Sequence, residues 1–268
     1  SRMVNGANCL AHQLLPEGVA YSPPSKDAAL QALALFDDPL LANDALAVAS
    51  KIKLLSSENS PIKDQKAACP AAAAWVKLTT PETRAPGDRY ILTAHALCLV
   101  NGFDHMPTLP PKAAQQEALA VMSLPELDND PAAMANRAWL LFKPWEIADP
   151  VRACQTAFDW VALVGADKAA IEAHMLPWTQ IKVVDCLMGV HAGQTPHTPT
   201  PQDMEMVFAL ARSAADRGDP AGDYAIGQVY HFGGGGVVVN REEAVKSYET
   251  CAAAGFNPCD WRLGNIYA

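Results

Sequence analysis

The chain has 268 residues, of which 50% are hydrophobic and only 7% aromatic, and it carries a formal net charge of −9 at neutral pH. This length can bury one sizeable core or two smaller ones, and a composition rich in alanine and leucine favours helices over a β-sandwich. The negative charge argues against a nucleic-acid partner. No run of about 18 apolar residues is present, so no membrane span is predicted.

Helical signals begin at Ser25, a suitable N-cap for a helix predicted over residues 26–36. A proline then opens a second predicted helix, over residues 39–55. Residues 56–70 are rich in serine and proline and predict a loop. A further apolar helix is predicted over residues 89–100.

The middle of the chain predicts five more helices, each bounded by proline or glycine, as in antiparallel helix pairs with short connections. Their ranges are 112–123, 131–142, 150–164, 167–174 and 179–190. The proline- and threonine-rich segment 195–201 is the best linker candidate. It divides a helical domain over 1–200, either separate or made of degenerate repeats, from a repeat region over 201–268. No strand alternation is evident, so the predicted fold is all-α.

Two segments near the C-terminus repeat at a period of 37 residues. The matched elements are residues 214–218 and 251–255, Ile226-Gly227 and Leu263-Gly264, and Tyr230 and Tyr267. Gly218 and Gly255 permit the left-handed turn that ends a helix. Asn240, followed three residues later by Glu243, has the pattern of a capping box. Tyr248 is expected to fill the gap between paired helices.

These residues resemble the Sel1-like repeat, a relative of the tetratricopeptide repeat with the pattern AAxxGxxxAxxxLGxxYxxGxGVxxDxxxAxxxY. The match runs from Ala214 to Tyr267 and departs from the pattern by one extra glycine in 233–236 and by Asn240 in place of aspartate. The resemblance implies a right-handed α-solenoid of antiparallel helix pairs, which binds a protein partner in its groove. The first helix of each unit then lines the groove. The implied partner-binding residues are Tyr224, Gln228, His231, Trp261, Arg262 and Asn265.

The spacing of Cys251 and Cys259 is similar to that in the Helicobacter cysteine-rich proteins, which are secreted Sel1-like repeat proteins with one disulfide per repeat; the register here lies one residue earlier. That resemblance implies a Cys251–Cys259 disulfide and a periplasmic location, with two buried thiols and a cytoplasmic location as the alternative. For the other five cysteines, buried thiols and disulfides both stay open. These are Cys9, Cys69, Cys98, Cys154 and Cys186.

We find none of the common catalytic signatures, and we predict no enzyme activity, no cofactor and no metal. The glycines at 233–236 lack the Lys-Ser/Thr that follows them in a phosphate-binding loop, and His191 and His197 fit no recognised metal spacing. His95 and Cys98 are predicted on a core face. The tryptophans are expected to be core fillers; those considered are Trp75, Trp139, Trp160 and Trp178.

Among Sel1-like proteins, one role suits a small, acidic, cysteine-bearing chain without catalytic motifs. It is the immunity protein that neutralises a secreted toxin, notably a phospholipase D-type effector of type VI secretion, and this role comes from family resemblance alone. An adaptor or scaffold of an envelope or signalling complex is the broader alternative, and a β-lactam-binding enzyme is the third. An immunity protein is expected to be monomeric when free.

Overall fold

A computed structural model describes residues 25–56, 60–84, 88–100, 109–189 and 197–268. Within these ranges the chain forms α-helices, two short 3-10 turns and no strand. It divides into two compact units, one ending at Glu126 and the other beginning at Leu127. The predicted all-α fold is confirmed. The division predicted at residue 200 separates the repeat region from the rest of the sequence; it differs from the boundary between these two units and stays a prediction.

The first unit contains five described helices, each packed on the next along the chain. They are α1 (Lys26–Phe36), α2 (Ala45–Ser56), α3 (Cys69–Leu78), α4 (Arg89–Leu99) and α5 (Lys112–Met122). Side chains from α1 and α2 close an aliphatic core around Phe36 and Leu54. Among the polar contacts, Arg84 forms an ion pair with Glu126 and lies 5.5 Å from the ring centroid of Trp75.

Side-chain caps begin the first two helices of this unit. Ser25 accepts a hydrogen bond from the Ala28 N–H, so α1 has the predicted bounds. The helix predicted over 39–55 is wrong in its first turn, because Asp44 accepts hydrogen bonds from the backbone N–H groups of Leu46 and Ala47 and starts a new helix there. The residues before it form a 3-10 turn, Pro39–Leu41.

The second unit contains eight described helices. They are α6 (Pro131–Phe142), α7 (Pro150–Val164), α8 (Lys168–His174), α9 (Pro177–Leu187), α10 (Pro201–Asp216), α11 (Ala221–Phe232), α12 (Arg241–Ala253) and α13 (Asn257–Tyr267). From α9 to α13 each helix packs on the next, and α9 also contacts α6 and α11. Neighbouring helices joined by short turns are the organisation of an α-solenoid.

The 37-residue repeat is visible in the hydrogen bonds that end α10 and α12. Gly218 and Gly255 have φ angles of 83° and 82°, values that favour glycine. The N–H after each glycine returns to the carbonyl five residues earlier, from Asp219 to Ala214 at 3.0 Å and from Phe256 to Cys251 at 3.1 Å. The same helix-ending turn therefore recurs at equivalent positions of the two repeats.

Helices α11 and α12 pack closely because a glycine of α11 faces a tyrosine of α12. A Cβ built on Gly227 would lie 2.6 Å from Cε1 of Tyr248, whose side chain is fully buried. The equivalent Gly264 in α13 has no atom within 4 Å of such a Cβ. Asn240, in the position where the repeat pattern has aspartate, accepts a hydrogen bond from the Glu243 N–H and caps α12 as predicted.

The structure contains three disulfides among the described residues, and Cys9 lies outside them. The predicted bond between Cys251 and Cys259 is present and joins α12 to α13. The cysteines left open in the sequence form two more, Cys69–Cys98 between α3 and α4 and Cys154–Cys186 between α7 and α9. On the helix face predicted to be core, His95 is buried, and Cys98 is half-buried and bonded to Cys69 of the adjacent helix.

None of the helices in the described part of the chain combines the length and apolar character that a membrane crossing requires.

Candidate partner-binding face

The predicted contact residues of α11 form one strip along the helix. Tyr224, Gln228 and His231 follow one another at intervals of four and three residues, which places them on one face. The Tyr224 hydroxyl accepts hydrogen bonds from Nε2 of Gln228 at 3.2 Å and from Nε of Arg262 at 3.4 Å. The Tyr248 hydroxyl lies 3.5 Å from Nδ1 of His231. The strip is therefore held in place from both neighbouring helices, α12 and α13.

Arg262 occupies the centre of an aromatic cluster. Its Cζ lies 4.9 Å from the ring centroid of Trp261, 5.0 Å from that of Phe232 and 6.0 Å from that of Tyr224, all within the range of cation–π attraction. Trp261 is 62% exposed and Phe232 56% exposed. Among the described residues no carboxylate lies within 4.0 Å of this guanidinium. We call Tyr224, His231, Phe232, Trp261 and Arg262 the arginine cluster.

His231 contributes a stacked ring to the arginine cluster. It stacks on Phe232 with ring centroids 4.4 Å apart and planes inclined by 6°. Burial, followed by the guanidinium groups of Arg262 and Arg241, lowers the pKa of His231 below its ordinary value. Arg241 also donates a hydrogen bond to the carbonyl of Ile266 near the end of α13. Arg241 and Arg262 thus bring two guanidinium groups near His231.

The repeat explains why these residues meet. Trp261 in α13 stands 37 residues after Tyr224 in α11, so the two aromatic side chains occupy equivalent helix positions. Asn265 is the equivalent of Gln228; it is exposed and makes none of the contacts described for the other five predicted residues. The prediction missed Phe232, because it falls at the helix end, outside the repeat signature.

A second cluster of aromatic rings and cations lies on α6 and α9. The Lys143 ammonium lies 4.9 Å from the ring centroid of Trp139 and 4.7 Å from that of Trp178, and the Lys182 ammonium lies 5.8 Å from Trp178. Trp178 is 37% exposed, so its assignment as a core filler is wrong. We call these four residues the lysine cluster.

The other tryptophans considered in the sequence are buried as predicted. Trp75, Trp139 and Trp160 are at most 5% exposed. Trp139 is both a buried core residue and a contact of Lys143, whose ammonium lies over its ring. No sequence pattern predicts the lysine cluster, since Lys143 follows the end of α6 while Trp178 lies in α9, 35 residues later.

The two lysines of this cluster differ in their neighbours. Lys182 forms an ion pair with Asp185 at 3.4 Å. No carboxylate of a described residue lies within 4.0 Å of Lys143, and burial lowers the pKa of its ammonium group. Within the described ranges, the Lys143 ammonium is therefore placed against the faces of two indoles.

The glycine turn and the histidines form no evident ligand site. Gly233–Gly236 all have positive φ angles and connect α11 to α12. His197 lies 3.1 Å from a carboxylate oxygen of Asp203, while His191 is outside the described residues. Over the ranges that the structure describes, no group of three histidine, cysteine or acidic side chains has the arrangement of a metal site.

Solved structures similar to this chain include two Sel1 repeat proteins. No protein-family model matches the chain, and no curated protein does so significantly. A Sel1 repeat protein from Oxalobacter formigenes is similar with a TM-score of 0.48 and 16% identity, over 88% of this chain and 59% of that one. A protective antigen present in uropathogenic Escherichia coli strains, displaying an SLR fold, gives a TM-score of 0.34 and 11% identity, over 99% and 64%. The chain spans less than two thirds of the length of either protein.

Proposed function

We propose that this chain is a non-catalytic protein-binding module and that it serves as an immunity protein, an inhibitor of a secreted bacterial toxin such as a phospholipase effector. The observation that carries the binding role is the arginine cluster, in which exposed Trp261 and Phe232 flank Arg262. Tryptophan, tyrosine and arginine are the residues in which binding energy concentrates at protein interfaces. Inhibition would follow from occlusion of the toxin's active-site entrance.

The disulfides support a location outside the reducing cytoplasm. Three bonds are present among the described residues, two of them buried between helices of the second unit. Disulfides form and persist in oxidising compartments and are rare in the bacterial cytosol. The periplasm is accordingly the proposed location, and thiol labelling of the protein in fractionated cells would test it. Labelling of any of the six cysteines of these bonds in protein treated before lysis would contradict it.

The binding role is tested by recovering the partner with tagged, oxidised protein from envelope and cytosolic fractions. Trp261→Ala and Arg262→Gln are expected to weaken capture of that partner at least tenfold each, a loss of about 1.4 kcal/mol or more. Leu40→Ser is the control, because Leu40 is 82% exposed and lies in the other unit. Equal capture by all three variants would contradict the proposed site.

The inhibitory role requires a second readout. A single stoichiometric partner with phospholipase activity, which falls when this chain is added and returns with Arg262→Gln, is expected. Recovery of several envelope proteins, with no enzyme among them, would support a scaffold instead. Light scattering of the free chain tests the proposed monomer, and a chromogenic β-lactam assay tests the absence of hydrolytic activity.

A further inference from the structure

The three described disulfides differ in their exposure to solvent. The bonded cysteines of the second unit are at most 2% exposed; they are Cys154, Cys186, Cys251 and Cys259. Cys69 and Cys98, which are bonded to each other in the first unit, are half-buried. Exchange requires an incoming thiolate to reach one sulfur of the bond, so a fully buried disulfide reacts only after local opening of the fold. The folded protein therefore leaves the Cys69–Cys98 bond more accessible than the other two.

The two sulfurs of this bond lie at opposite ends of their helices. Cys69 is the first residue of α3, whereas Cys98 is the next-to-last residue of α4. The N-terminus of a helix carries a partial positive charge and the C-terminus a partial negative charge. No acidic residue lies in the first turn of α3, and no basic residue lies in the last turn of α4. A thiolate is thus favoured at Cys69 and disfavoured at Cys98.

The charged side chains near the bond leave this difference in place. Within five positions of Cys69 the charged residues are one acid and one base, Asp64 and Lys66. One turn before Cys98, His95 lies in the fields of Glu117 and Lys77, which act on it in opposite directions. Because the side-chain charges are balanced at both sulfurs, the helix ends decide which sulfur leaves as a thiolate.

We propose that the Cys69–Cys98 bond is a site of thiol–disulfide exchange, at which a small thiol such as glutathione forms a mixed disulfide with Cys98. The thiol loses its proton to water, and its sulfur attacks Sγ of Cys98. The new S–S bond forms as the old one breaks, and the electron pair leaves with Cys69 as a thiolate at the N-terminus of α3. That thiolate takes up a proton from water, and the resulting thiol can donate to the Gln65 carbonyl oxygen, which lies 3.7 Å from its sulfur.

This site gives the first unit a response to the thiols around the protein. A second glutathione attacks the mixed disulfide, forms glutathione disulfide and leaves Cys69 and Cys98 as thiols. Helices α3 and α4 then stay together by packing alone, while the second unit keeps its two buried cross-links. The inference goes beyond the proposed function and does not depend on it, because the arginine cluster lies in the second unit.

The test measures the reactivity of each disulfide in the folded, full-length protein. Cys9→Ser is introduced first, because seven cysteines cannot all be paired. The oxidised protein is treated with glutathione, stopped early with acid, alkylated and mapped by mass spectrometry. Cys69 and Cys98 are expected to react at least about tenfold faster than any other cysteine, with glutathione mainly on Cys98. Equal rates for the three bonds, or a faster reaction of a bond in the second unit, would overturn the proposal, and glutathione mainly on Cys69 would refute the assigned direction.

A pair of variants tests the role of the helix end. Ala73 lies one turn after Cys69 on the same face of α3 and is half-buried. Ala73→Glu places a carboxylate near the leaving sulfur, and Ala73→Gln is its matched uncharged control. Mixed-disulfide formation should be roughly threefold slower with glutamate than with glutamine, since a raised thiol pKa makes Cys69 a poorer leaving group. Circular dichroism checks that both variants are folded, and equal rates for the two would refute departure of Cys69 as a thiolate.

Discussion

Gly227 and Gly264 are equivalent positions of the repeat, but they differ in the space available for a Cβ atom. At Gly227 a Cβ would lie 2.6 and 2.7 Å from two carbons of the Tyr248 ring, whereas at Gly264 no atom lies within 4 Å. Replacing glycine by alanine in a helix interior stabilises the helix by about 0.5–1 kcal/mol. Gly264→Ala is expected to show that gain.

At Gly227 the same gain is opposed by overpacking. The Tyr248 ring is fully buried and its hydroxyl is 3.5 Å from His231, so the ring has little room to move. Forcing an additional methyl group into a packed core costs about 1–3 kcal/mol. The net expectation for Gly227→Ala is therefore a destabilisation of about 1–2 kcal/mol, opposite in sign to Gly264→Ala.

The assay is urea unfolding of the oxidised protein, followed by circular dichroism at a helix wavelength. Both variants keep the fold and all disulfides, so differences in the midpoint at an unchanged slope report the free energy of unfolding. A raised midpoint for Gly227→Ala, equal to that for Gly264→Ala, would refute the reasoning that close helix approach requires glycine at this position.

Three more predictions concern stability. Replacing both Cys251 and Cys259 by alanine should cost about 2.5 kcal/mol, the chain-entropy value for a separation of 8 residues; an unchanged urea midpoint under oxidising conditions would contradict it. Burial lowers the pKa of His95 below 6.5, so this side chain binds a proton more readily in the unfolded chain than in the folded one. Stability should then fall as pH drops below about 6.5 and level off below the folded pKa, and His95→Gln should make that fall shallower in urea midpoints; an equally steep fall would argue against it. Finally, a double-mutant cycle of Arg84→Gln and Glu126→Gln should give a coupling energy of about 1–3 kcal/mol, since the side chains of this ion pair are only 9% and 18% exposed, whereas a coupling near zero would show that it adds nothing.

Local sequence patterns predicted the bounds of several helices. The bounds of α1, α6 and α7 follow from Ser25 and from prolines at the first helical position, and all three agree with the prediction. The cap at Asp44 was overlooked, because an apolar pattern running through it suggested a continuous helix. Helix α3 was also overlooked, since its first residues lie in the serine- and proline-rich segment predicted as a loop.

Residues of the candidate site could be predicted only where the repeat identifies equivalent helix positions. The resemblance placed Tyr224 and Trp261 on the partner-facing side, and the structure joins both to Arg262. The lysine cluster depends on α6 and α9 lying side by side, a contact that no period in the sequence encodes. For the same reason the pairing of the four cysteines outside the repeat stayed open.

The equivalence of Tyr224 and Trp261 has a consequence for the ancestry of such proteins. The contacts described here join immediate neighbours: the helix-ending turn recurs at Gly218 and Gly255, and Gly227 packs on Tyr248 of the next helix. A duplicated unit can therefore be inserted without repacking the rest. Because this aromatic position belongs to the repeated segment, a copy of the unit inherits it, and duplication alone adds another aromatic residue to the row.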